Sequence, residues 1–352
     1  MKKRPYNTPT LILCLMLLIQ GNVFAGEVTK RIAKSFNVKA DTKIEISNKF
    51  GNVVINKWDK NVFDLKVEII AEAKTDAKTQ KLLDEIEIEI TDRISSGSLS
   101  IASRLDLSHN GNSNFSINYE ISMPNTNPLK LTNSFGNVYM GSYVGDLDVD
   151  VRYGQFQAED LESAKLHIEF SNAKCEVETL KSGNLDLRYS KMSIDELGDV
   201  EIESQFSDLE IGNAGKINLD GRYGKFEIGN VASLHGDIQF SGLDIKNLQE
   251  TLVLETRHGN GISIDKVSSK FKNIDIEGEF SSIDLNMTKG TRALLDFELE
   301  FGNLKSYGEG INFNKVIKES NRSAYEGYLG SKDATATMNI RTKHGNIRVV
   351  VE

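Results

Sequence analysis

VRYGQFQAEDL, residues 151–161, reads as an amphipathic strand interrupted by a glycine, and close variants of it return about every 17 residues. An aromatic or His residue followed by Gly or Ser recurs at Phe135, Tyr153, Phe170, Tyr189, Phe206, Tyr223, Phe240, His258, Phe280 and Phe301. The spacings are 18, 17, 19, 17, 17, 17, 18, 22 and 21. A repeat this short is the signature of a solenoid, in which each unit buries its apolar face only against its neighbours.

Ahead of each ring the residues alternate strictly. Leu147, Val149, Val151 and Tyr153 share one parity and Asp148, Asp150 and Arg152 the other, which is a strand with one buried face. Beyond the Gly or Ser the parity breaks. The next apolar residues fall three, five and often eight places on (Phe156, Ala158 and Leu161; Phe226, Ile228 and Val231), so the chain bends at the small residue. Three short inward tracts per 17–18 residues predict an all-β, single-stranded parallel β-solenoid, with coils hydrogen-bonded about 4.8 Å apart and irregular caps at both ends. The crossover preference makes it right-handed. Ten or more coils give a rod on the order of 50 Å long. Because the rings share the parity of the aliphatic residues, they are expected to form an inward-facing core ladder.

The rival is a 35-residue coil, because units with Arg before the ring (Arg152, Arg188, Arg222, Arg257) alternate with units carrying Glu169, Gln205, Gln239 or Glu279 there. Opposite or neutral neighbours across a ladder are favoured and like charges disfavoured. The short coil interleaves Arg with Glu or Gln; the long coil stacks Arg on Arg. The short coil is preferred.

The chain divides into a leader (1–25), a β-rich cap with first coils and one short helix (26–131), the regular solenoid (132–310) and a C-terminal loop with a closing coil (311–352). Lys2, Lys3 and Arg4 precede the apolar run Leu11–Ile19 and then Val23-Phe24-Ala25, the pattern of a secretory signal peptide cleaved after Ala25. No segment reaches the roughly 20 apolar residues of a membrane span. In the cap, 43–59 is a coil with Phe50-Gly51 at its corner, 73–86 is the one helix candidate, and "SHNGNSN" (108–114) is a polar loop. This region covers the first coil's open edge. All four prolines lie before residue 130, leaving the stack free of residues that cannot donate to a ladder. Residues 315–335 are polar and read as a flexible stretch, and 335–352 as the final coil, with His344-Gly345 at its corner.

The formal net charge is −9, and loss of Lys2, Lys3 and Arg4 with the leader takes it to −12, which repels nucleic acid and anionic lipid. Of two cysteines, Cys14 lies in the leader, so no internal disulfide is expected, and Cys175 reads as a small buried hydrophobe. His109, His167, His235, His258 and His344 are scattered without metal-site spacing. There is no phosphate loop, serine elbow or Cys/His pair, so no catalytic, cofactor or metal residues are assigned.

One outward column, three places before each ring, is acidic: Asp150, Asp186, Glu203, Asp220, Asp237, Glu255 and Glu277, with His167 the exception. Such carboxylates could share Ca2+ or attract a basic partner, against the simpler reading of a solvated face. Trp58, outside the ladder, is a candidate contact residue.

The passages IEISNKFGNVVINKWD (44–59), ISMPNTNPLKLTNSFGNVYMGSYVGDLDV (121–149) and KHGNIRV (343–349), with Gly51-Asn52, Gly136-Asn137 and Gly345-Asn346 at corners and Pro124 before the regular stack, resemble the bacterial putative-adhesin family of β-helical domains. That family is related to the head GIN adhesin domains and is common in Bacteroidota. The resemblance implies an exported, non-enzymatic, adhesin-like or envelope-associated binding and scaffold protein of a Gram-negative periplasm or cell surface. Its partner would be an envelope protein or glycan, and it would use no cofactor. The alternative is a polysaccharide-active β-helix enzyme, which needs carboxylates converging at one place along the stack.

Overall fold

A computed structural model describes residues 27–105, 114–171 and 173–352. The leader, Cys14, His109 and nearly all of the loop 108–114 lie outside the described residues. The described residues form 26 strands and one α-helix, and the strands belong to a single, mostly parallel hydrogen-bonded system.

Each coil lies on the next with the register that a 17-residue repeat requires. Asp150 pairs with His167, Arg152 with Glu169, Glu169 with Arg188 and Gln205 with Arg222. Arg is therefore interleaved with Glu or Gln, and the 35-residue coil is excluded. In the middle of the stack the chain stays paired from one corner nearly to the next. Lys191–Gln205, Asp208–Arg222 and Lys225–Gln239 lie successively in register, each bending at the eighth-place residue. Leu197 and Val231 at that place are buried on the third side, as are Phe226 and Ile228 on the second. Inward aliphatic residues of all three sides make one continuous core.

At the N-terminal end the strand Lys43–Lys49 is flanked by Leu129–Ser134 on one side and Ser98–Leu105 on the other, both parallel to it. Val53–Lys57 is likewise flanked by Val138–Met140 and Asn114–Met123. Beyond these the pairing turns antiparallel. Ile86–Arg93 pairs with Ser98–Leu105, Val62–Glu72 with Asn114–Met123, and Glu27–Asn37 with Val62–Glu72. The outermost strand carries Lys30, Arg31 and Lys34, charges that discourage a further strand from adding to the edge. The helix is shorter than its sequence window. It spans Asp76–Asp84, Thr75 caps its N-terminus by accepting from the Lys78 N–H, and it buries Thr79, Leu82 and Leu83.

The C-terminal end departs from sequence order. Residues 335–352 do form a coil with His344 at its corner, but it is not the last one. Thr337–Lys343 sits between Asn273–Glu279 and Ala293–Glu300, parallel to both. Ile347–Val351 sits between Ile283–Met287 and Leu304–Tyr307. The chain skips a storey at Thr288–Arg292 and returns at its end to fill it. The stretch expected to be flexible is instead an antiparallel hairpin, Ile311–Lys318 with Arg322–Leu329, whose second strand covers the outer edge of Ala293–Glu300. Periodicity reports that a segment is a coil; it carries no information on which storey that coil occupies.

Candidate functional site

The corner column is the feature that distinguishes this molecule. Twelve residues, the ten expected together with Phe50 and His344, have positive φ, between 49° and 63°. None of the corner glycines does. The left-handed turn is made by the ring residue itself, and this overturns the expected orientation. Parity alternation holds only while the backbone is extended; a left-handed residue reverses it, so each ring swings outward. Nine of the rings are 37–54% exposed. The inward-facing ladder is thus corrected to an outward-facing one.

The rings stack face to face, with centroids 4.7–5.0 Å apart and planes 2–11° from parallel, from Phe50 through to Phe301. At the cap, Phe115 closes the file edge-on against Phe50 at 5.1 Å. A bulky residue held left-handed costs roughly 1–2 kcal/mol, and an offset or parallel ring contact returns about 0.5–1.5 kcal/mol. With about one contact per ring, stacking offsets only part of the strain. Because ring faces are used on one another, only edges and the Tyr hydroxyls meet solvent, so a sugar has no free face to lie on along the file.

Corner glycines are needed for room. A Cβ on Gly154 would lie 1.9 Å from the Gly136 carbonyl oxygen, and one on Gly136 would lie 1.9 Å from that of Gly51. At Ser190, Ser207, Ser241 and Ser281, which stand where other corners have Gly, the buried hydroxyl ties storeys together. Ser190 Oγ donates to Arg188 O at 2.8 Å and accepts from Ser171 N at 3.2 Å, and Ser207 Oγ accepts from Ser190 N at 3.0 Å. Under the first corners this role passes to a pair of buried asparagines. Asn48 Nδ2 donates to Ile117 O and to Asn133 Oδ1, and Asn133 Nδ2 donates to Gly136 O at 2.8 Å. The parity rule gave no hint of amides inside; the recurrence of Asn two places before Phe50 and Phe135 was the available signal.

Beside the rings runs the column of Arg152, Glu169, Arg188, Gln205, Arg222, Gln239, Arg257 and Glu279, followed in space by Lys343 and Glu300. Each Arg also holds the acid two residues earlier in its own strand. Arg152 grips Asp150 at 3.0 and 3.1 Å, and Arg188 grips Asp186 at 3.1 and 3.1 Å. Arg222 reaches Asp220 and Arg257 reaches Glu255. These hydrogen bonds raise the pKa of Arg152 and Arg188 above the usual guanidinium value. The side chains are well exposed, so each pair contributes only about 0–1 kcal/mol.

The acidic column is in register from Asp150 through Asp186, Glu203, Asp220, Asp237 and Glu255 to Glu277. His167 Nδ1 lies 2.8 Å from Asp186 Oδ2. Among the described residues no three His, Cys, Asp or Glu side chains converge in a way that could hold a metal ion. Near the C-terminal end a groove of about 490 Å³ gathers Glu277, Glu279, Glu298 and Glu300 with Arg322, Arg341 and Lys343. Arg322 pairs with Glu298 at 2.7 Å and Arg341 with Glu277 at 3.6 Å.

Cys175 and Trp58 lie off this surface. Cys175 is buried and unpaired by disulfide, and burial pushes its thiol pKa up. Trp58 is half-buried, donating to Val62 O at 2.7 Å with Lys60 over its ring. His258 and His344 are members of the ring file. No helix among the described residues is long and apolar enough to cross a membrane.

No family model matches the chain, and no curated protein matches it. Among solved structures it is similar to a putative cell adhesion protein from Clostridium sporogenes, at 13% identity and TM-score 0.21, over 92% of this chain and 100% of that one. It is also similar to putative adhesins from Parabacteroides distasonis (13%, TM-score 0.36, 73% and 93%) and Bacteroides fragilis (14%, TM-score 0.31, 67% and 96%). At these scores the likeness carries no argument about function.

Proposed function

We propose that this is an exported, adhesin-like or envelope-associated binding and scaffold protein of a Gram-negative bacterium, without catalytic activity. The observation that carries the reading is the file of twelve stacked, outward rings with its charged flanks, a rigid surface that repeats coil by coil and suits an extended partner. Chemistry spread evenly along a rod serves adhesion; catalysis needs it gathered at one point. The envelope supplies partners of matching length, a glycan or another envelope protein, which would meet the charged columns rather than the closed ring faces.

A polysaccharide-active enzyme is the second reading, favoured by the C-terminal groove, where Glu277, Glu279, Glu298 and Glu300 lie beside Arg322, Arg341 and Lys343. Two of those glutamates are already paired as members of the repeating columns, which keeps the binding reading ahead. Two experiments test the proposal. Fractionation of the source cells should place the protein in the periplasm or on the surface; recovery from the cytoplasm contradicts export. The purified protein should bind a glycan or envelope protein on an array without altering it, whereas depolymerisation of a glycan that is lost in E279Q establishes the enzyme.

A further inference from the structure

Two alternations run along the corner in space, and both survive the out-of-order coil. Phe135, Tyr153, Phe170, Tyr189, Phe206 and Tyr223 alternate plain and polar-tipped rings, and the pattern continues through Phe240, His258, Phe280, His344 and Phe301 only because His344 is inserted between the last two. In the flanking column, cations alternate with acids or amides, and Lys343 falls between Glu279 and Glu300 in the same way. A two-coil period kept in space across a break in sequence order points to a surface read by something with the same period.

We propose that the ring file is a homotypic interface, and that its occupant is the ring file of a second copy, docked antiparallel about a twofold axis passing between the Phe206 and Tyr223 coils. Area supports it. Nine of the rings leave roughly 90 Å² each uncovered, about 800 Å² in all. That is close to the share per partner of a standard interface, about 800 Å², and more than the roughly 300–600 Å² of the largest apolar patch on a typical monomer.

Charge supports it as well. A twofold axis at that place sets Arg222 opposite Gln205, Arg188 opposite Gln239, Glu169 opposite Arg257, Arg152 opposite Glu279 and Lys49 opposite Glu300, with no like-charged pair in the column. On the other flank it sets Asp208 opposite Lys225. A parallel dimer would instead face Arg188 with Lys191 and Arg222 with Lys225. The acidic column stands two residues farther from the ridge, about 6.6 Å, where Asp150, Asp186, Asp220 and Glu255 are held by their own coil's Arg.

Sedimentation equilibrium of the purified protein, recovered after expression with its own N-terminal segment, should give a dimer. Y189N/F206N/Y223N, in which Asn suits the left-handed corner, should keep its circular dichroism and sediment as a monomer. R152E should weaken association at least about tenfold, and R152E/E279R should restore it, because the two sites meet only between copies. A monomer up to about 100 µM, a dimer that persists in the triple variant, or failure of E279R to rescue R152E overturns the proposal. If the triple variant does not fold, the charge-swap pair decides.

Discussion

The rings of Phe280 and Phe301 follow one another in the sequence repeat, yet the ring of His344 lies between them, 4.7 Å from the first and 4.8 Å from the second. The last strand pair of the chain is therefore an interior storey, paired on both edges, and the C-terminus is locked into the stack. Met338, Ile340 and Ile347 are fully buried there.

Truncating that storey should therefore cost far more than trimming an end. Met338→Ala or Ile340→Ala is expected to lose about 2–5 kcal/mol in urea denaturation, while Val316→Ala, on the exposed hairpin strand, should stay within about 0.5 kcal/mol. Equal effects at the three sites would mean that the coil is peripheral.

The left-handed corner separates shape from ring chemistry. Tyr189→Asn gives up stacking but relieves backbone strain and should fall within about 1 kcal/mol of the parent. Tyr189→Val loses the stack and keeps the strain, and should be worse than Asn by about 1–2 kcal/mol. Both are read by chemical denaturation, and Val matching Asn would show that the corner is extended.

Steric room predicts a contrast between two glycines. Gly154→Ala drives a methyl group to 1.9 Å from a backbone oxygen and should destabilise by at least about 3 kcal/mol. Gly242→Ala, whose nearest new neighbour is 3.8 Å away and whose φ is not positive, should be neutral or stabilising by up to about 1 kcal/mol. Thermal melts of the two variants suffice.

Alkaline pH should weaken the fold through buried acids. Burial raises the pKa of Cys175, Tyr119 and Tyr143 above their ordinary values, so the folded state holds protons that the unfolded chain releases first. The stability is fully present below those ordinary values and is lost as pH rises through them, from about 8.5 for the thiol and about 10 for the phenols. Urea midpoints should fall above pH about 9, and Cys175→Ala should delay the onset. A flat profile to pH about 11 would contradict the burial of these groups.

Much of the architecture was legible in residues 151–161 and their variants, because period-two alternation, the 17-residue spacing and the Arg/Glu interleave each reflect a ladder contact between adjacent storeys. What could not be read was set by a single dihedral or by topology. Nothing in the parity of Tyr153 reveals that its φ is positive, so the rings were expected inside. Nothing in the spacing of His344 reveals that its coil belongs beneath that of Phe301. The Gly was expected to supply the bend, whereas it supplies clearance beneath a turn made by its neighbour. The acidic column, by contrast, was visible from Asp150 to Glu277 because outward positions of an extended strand keep their parity, although Glu298, which follows Arg341 in space, was not included in it.

The outward single file is tested most directly by a distance across it. Nitroxide labels at Tyr153→Cys and Phe280→Cys, in a Cys175→Ala background and diluted with excess unlabelled protein so that only pairs within one copy are read, are separated by seven storeys of about 4.8 Å, so double electron–electron resonance should give one narrow distribution near 34 Å. A broad distribution, or a mean displaced by more than about 10 Å, would show that these corners do not stand in one column.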